Sequence, residues 1–130
     1  MARILDILKE LPASAGETLS LHMKNAGVTI EKLVDLTGIS DQTIKRYRQG
    51  SSMKLNNLVA ICVALHLDPI FSEDLLEKAG FTLNVKILEH AYFEFILNHM
   101  YESDVPACNN FLVECGIPSL TSLMEALVCA

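Results

Sequence analysis

No stretch of this chain alternates apolar and polar residues cleanly, and no Asn-Gly or Asp-Gly pair joins two β-branched runs. Hairpins and sandwiches are therefore not expected. No apolar run approaches the roughly 20 residues that a membrane-spanning helix needs. The N-terminal "MARILDILKELPAS" has an early cation, but Asp6, Lys9 and Glu10 interrupt its apolar positions. That pattern suits an amphipathic helix rather than a signal peptide, and a cytoplasmic protein is expected. Basic residues are also in short supply, with 10 Lys+Arg against 16 Asp+Glu and a formal net charge of −6.

The chemistry of an enzyme is missing too. Cys62, Cys108, Cys115 and Cys129 are irregularly spaced, with no two-residue gap of a zinc knuckle. Each has apolar sequence neighbours, so reduced structural thiols are expected. His90 and Glu94 stand four apart, but His99 follows nine residues after His90, on the other side of a helix. A zinc helix needs two histidines four apart on one face with a glutamate between them. His22 and His66 are isolated, and there is no glycine-rich phosphate loop. The expectation is a protein without catalytic, metal or cofactor site.

What the chain does have is a folded composition and helical periodicity. Apolar residues make up 51% and charged residues 20% of 130 residues, enough to bury a real core. Ile4, Leu5, Leu8 and Leu11 form one stripe, ended by Pro12; Leu19, His22, Met23 and Ala26 form another, stopped by Gly27. Thr29 is a suitable N-cap for "IEKLVDLT", which carries Leu33, Val34 and Leu36 and stops at Gly38. Ser40 caps the next helix, which continues to Gln49 and stops at Gly50. Leu55, Leu58, Val59, Cys62 and Leu65 trace a longer buried helix, and Asp68-Pro69 starts another through "FSEDLLEKAG". Beyond Gly80, Val85, Leu88, Tyr92, Phe95, Ile96 and Met100 recur at three and four. Pro106 opens "PACNNFLVEC", closed by Gly116, and a last helical segment after Pro118 carries Leu120, Leu123, Met124 and Leu127. The spacing thus predicts an all-α chain of about eight or nine helices.

Residues 29–49 carry the most specific pattern. Two short helices joined by a tight turn need a small or apolar residue on the first, facing the second. They also need a glycine at the left-handed turn position and two buried anchors on the second helix. Val34, Gly38, Ile44 and Tyr47 meet these needs at the spacings of a helix-turn-helix. On these residues, and on "VTIEKLVDLTGISDQTIKRYRQG" followed by "MKLNNLVAICVALHLDP", the chain resembles the phage-repressor-like (Xre-type) helix-turn-helix family over about residues 17–79. The resemblance implies a five-helix domain that inserts its second motif helix into the major groove of DNA. Two departures stand out. Ile30 occupies the place where members often carry a glutamine that touches the DNA backbone, and Val34 the place of a usual alanine.

The composition of "SDQTIKRYRQ" supports the same expectation independently. At about 100° per residue, Ile44 and Tyr47 set the buried direction and Gln42, Lys45, Arg46 and Gln49 face away. Glutamine can pair bidentately with adenine, and arginine or lysine with the acceptor edge of guanine, so these four are the candidate base readers. Thr29, Ser40, Thr43, Arg48, Ser51, Ser52 and Lys54 lie at helix starts, beside the readers or in the following loop, and are the candidate contacts to the DNA backbone. Asp41 suits a helix start but repels phosphate. The acidic balance does not exclude this role. Residues 17–54 hold six cations and four anions, a net of +2, while the other 92 residues hold four cations and twelve anions, a net of −8. A net-positive island on an acidic body is a local footprint for a polyanion.

The expected organisation is a helix-turn-helix domain with a leading amphipathic helix over residues 1–80, and a C-terminal helical extension over 81–130 for dimerisation or partner docking. "AYFEFIL" is apolar at more positions than one amphipathic face requires. The expected function is sequence-specific transcriptional regulation by a homodimer on double-stranded DNA, as a repressor. The alternative is an interaction adaptor, or an antitoxin of a mobile element, that uses the helix-turn-helix as scaffold.

Overall fold

The computed structural model describes residues 2–123, with side chains described from Asp6 onward. Among these residues there are eight helices and no strand: α1 (Ala2–Glu10), α2 (Ala15–Ala26), α3 (Ile30–Thr37), α4 (Asp41–Arg48), α5 (Leu55–Ala64), α6 (Pro69–Lys78), α7 (Leu88–His99) and α8 (Val105–Glu114). The starts are written in capping residues. Ser14, Thr29 and Ser40 accept from Glu17 N, Lys32 N and Thr43 N, and Asp68 and Asp104 accept from Ile70 N and Ala107 N. Each such cap satisfies a backbone donor that the helix leaves unpaired and contributes about 1 kcal/mol. Pro69 and Pro106 stand in first turns, where a missing N–H costs nothing.

The core forms around α5. Residues 58–64 of this helix are all buried, and it packs against α3, α6, α7 and α8. A helix apolar on every side has to sit inside a fold, and "LVAICVA" is such a sequence. Around it, α2 packs on α4 and α6, α3 on α4 and α8, and α6 on α7. The buried apolar residues form one continuous cluster running from Leu19 through Leu33, Ile44 and Phe93 to Leu120. Burying each large apolar side chain contributes roughly 1.5–3 kcal/mol.

Four sequence expectations change. The set Val85, Leu88, Tyr92, Phe95, Ile96 and Met100 is not one face: α7 starts at Leu88, buries Phe93, Ile96 and Leu97, and leaves Leu88 and Phe95 exposed. Because α7 is apolar on both sides, its periodicity had no single phase. In α3 the deeply buried residues are Leu33 and Thr37, with Val34 only half-buried, so the motif position given to Val34 lies at the edge of the core. Cys115 is exposed, unlike the buried Cys62 and Cys108.

The fourth change is at the C-terminal end. Residues 117–123 are not helical; they cross the fold as a strap, while Met124, Leu127 and Cys129 lie outside the described residues. The fully buried Asn109 of α8 holds the strap. Its amide donates to Leu123 O at 2.6 Å and to Thr121 Oγ1 at 3.1 Å, and its Oδ1 accepts from Leu120 N at 2.8 Å. Asn56 of α5 donates to Leu120 O at 2.8 Å. Thr121 Oγ1 in turn donates to Thr37 O at 2.6 Å, one of the carbonyls that the end of α3 leaves unpaired.

Candidate nucleic-acid interface

The turn between α3 and α4 is built on Gly38, the left-handed C-cap at φ 81°, whose N–H donates to Val34 O. A side chain there would be strained by the backbone and would also meet Leu123, whose Cβ is 3.0 Å from the place of a Cβ on residue 38. Ile39 follows, buried, and its N–H donates to the buried Thr37 hydroxyl at 3.1 Å. Ser40 then starts α4, accepting from Thr43 N and donating to Thr43 Oγ1 at 2.9 Å. The hydroxyls of Thr29, Ser40 and Thr43 are thus engaged in caps at the starts of α3 and α4.

Burial divides α4 as the periodicity predicts. Ile44 is fully buried and Tyr47 is 4% exposed, whereas Gln42, Lys45, Arg46 and Gln49 are exposed. Tyr47 is an anchor with a polar end. Its hydroxyl accepts from Lys54 N at 3.2 Å and from Asn57 Nδ2 at 2.9 Å, which ties the loop carrying Ser51, Ser52 and Lys54 to the helix. All three of those residues are exposed. Asp41 meets Lys45 Nζ at 3.5 Å, an exposed i, i+4 pair that offsets one of the cations on the outward face.

Arg48 points elsewhere than Arg46. Its Nε donates to Ser20 Oγ of α2 at 2.9 Å, a pairing across 28 residues. Ser20, Ile30, Lys45, Arg48 and Gln49 line a shallow groove of about 290 Å³ where α2, the start of α3 and α4 meet. The helices approach closely because residue 16 is glycine. A Cβ there would lie 2.6 Å from Tyr47 O and 2.9 Å from Arg48 O. Neither Gly16 nor Ser20 was a candidate from the sequence; the available signal was two small residues four apart on α2, one face of a helix.

A larger groove, about 370 Å³, lies between α6 and α7 with Glu73, Glu77 and Glu94 in its walls. Three carboxylates make it a poor place for a nucleic-acid backbone. Among the described residues no three His, Cys, Asp or Glu side chains converge on a metal position. Burial pushes the Cys62 and Cys108 thiols up to about 12, so both are protonated and unreactive at neutral pH. No described helix is long and apolar enough to cross a membrane.

A short recognition helix that buries two anchors and turns glutamine, lysine and arginine outward, after a glycine turn and between supporting helices, defines a helix-turn-helix domain. A family model described as the Cro/C1-type HTH DNA-binding domain matches residues 18–79. Over this segment, just under half of the chain, it is similar to that family. The match ends where α6 ends and leaves α1, α7 and α8 outside it. No curated protein and no solved structure matches the chain.

Proposed function

We propose that the chain is a sequence-specific transcriptional repressor that lays α4 in the major groove of double-stranded DNA. Gln42, Lys45, Arg46 and Gln49 read base edges in this proposal. Thr29, Ser40, Thr43, Arg48, Ser51, Ser52 and Lys54 position the domain on the phosphates. The observation that carries it is the division of α4, whose anchors Ile44 and Tyr47 are buried while its four candidate readers are exposed. Residues 1–80 act as the DNA-binding unit and residues 81–130 as the dimerisation or docking unit. Two copies would present their recognition helices to half-sites about 34 Å apart.

Selection of duplexes from a random pool with the purified chain tests this. The expected product is a two-fold-related site with half-sites about one helical turn apart. A pool that shows no enrichment would remove the sequence-specific reading.

A second reading, an interaction adaptor or antitoxin with the helix-turn-helix as scaffold, draws support from the outer face of α7. Phe95 is 46% exposed there, and its ring lies 5.6 Å from Phe111 and 5.0 Å from His99. A salt titration on random duplex separates the two. Affinity that falls steeply with salt marks a DNA binder, because each neutralised phosphate releases counterions.

A further inference from the structure

Arg48 is exposed, yet it is the one cation of α4 with a hydrogen-bond partner on another helix among the described residues. The partner is itself fixed. Ser20 Oγ donates to Gly16 O at 3.1 Å, which commits the hydroxyl proton and turns a lone pair toward Arg48 Nε. Beneath the pair, α2 and α4 are in close contact at Gly16, where no side chain could fit against the Tyr47 and Arg48 carbonyls. A guanidinium carries five N–H donors in a rigid fork. With Nε held by Ser20, the two terminal nitrogens, which meet no partner among the described residues, can present a bidentate edge to a phosphate. Arg48 borders the groove that Ser20, Ile30, Lys45 and Gln49 also line.

We propose that Ser20 is a positioning residue that holds Arg48 as a phosphate clamp beside the start of α3. This rests on the DNA-binding reading above. A held arginine binds a phosphate more tightly than a free one because less side-chain freedom is lost on binding. A phosphate contact positions the protein without reading sequence, so the effect is the same on every duplex.

The test uses the full-length chain with two probes, the selected duplex and a random-sequence duplex. Ser20→Ala is expected to weaken binding to both probes about 3- to 10-fold, with base preference unchanged. Ser20→Thr keeps the hydroxyl and is expected to restore affinity. Arg48→Ala is expected to weaken binding further and to reduce the slope of log affinity against log salt by about one. In the Arg48→Ala background Ser20→Ala is expected to do nothing more, since its effect passes through the arginine. The proposal is overturned if Ser20→Ala binds like the wild type, or if it weakens binding equally with and without Arg48. If neither probe binds the wild-type chain, the DNA-binding reading falls and takes this one with it. If Arg48→Ala weakens binding while Ser20→Ala does not, this proposal falls and the phosphate contact of Arg48 stands.

Discussion

Helices α4 and α7 solve the same folding problem and leave opposite surfaces. Each buries one apolar face, Ile44 and Tyr47 in α4, Phe93, Ile96 and Leu97 in α7. The outward face of α4 offers amides and cations, while that of α7 offers Leu88 and Phe95 beside Tyr92 and Phe111. The inward residues say where a helix sits; the outward ones say what it can meet. Amides and guanidinium groups suit base edges and phosphates, whereas clustered aromatic rings suit another protein surface.

The largest expected effect separates the two faces of α7. Phe93→Ala should cost about 3–5 kcal/mol in urea unfolding, because it empties a filled core site. Phe95→Ala should change stability by no more than about 0.5 kcal/mol and instead alter the sedimentation behaviour if this face joins two copies. Equal losses at the two positions would erase the distinction between the faces. On α4, Arg46→Ala should cost about 1–3 kcal/mol on the preferred duplex and relax preference at one base, as read by binding isotherms on single-base variants. An unchanged isotherm would move base reading off this helix.

Smaller effects sharpen the contrast. Asp41→Asn releases Lys45 from its exposed ion pair and removes a charge that repels phosphate. Duplex affinity should rise about two- to five-fold at low salt and less at high salt, and a loss of affinity would mean that Asp41 itself contacts a base. The smallest concerns the seam between α2 and α6. His22 is 3% exposed, 5.3 Å from the Phe71 ring, and its Nε2 meets no hydrogen-bond partner among the described residues. Desolvation lowers its pKa from 6.5, opposed by the nearby Asp74 carboxylate and reinforced by Lys78. The unfolded chain then takes up the proton first. Stability should be unaffected well above pH 6.5 and fall as pH drops from there toward the depressed folded value. His22→Gln should remove that component of the acid slope in melts from pH 7.5 to about 5; an identical slope would assign acid sensitivity elsewhere.

Much of the DNA-binding half was legible in the sequence because its signals are local. Thr29, Ser40, Gly27 and Gly38 each act within a few residues of themselves, and the period of α4 separates buried anchors from exposed side chains without any tertiary knowledge. The rest depends on partners far along the chain. The pairing of Ser20 and Arg48, 28 positions apart, and the close approach at Gly16 leave no periodic trace. Nothing in "PACNNFLVEC" singles out Asn109, and its role in holding residues 120–123 is set by backbone groups that any sequence would offer. The phase of α7 failed for the opposite reason, since apolar residues on both sides fit two registers equally well.

The strap has a consequence for how this chain can change over generations. Gly38 answers to two masters: the turn requires a left-handed backbone, and Leu123, from the other end of the chain, occupies the space where a side chain would start. Thr121 completes the lock on Thr37 O. The extension is therefore not a cassette to be swapped at will behind a standard DNA-binding unit. A replacement has to bring its own cover for Gly38 and its own donor for Thr37, or leave the turn exposed at the point that sets the angle of α4.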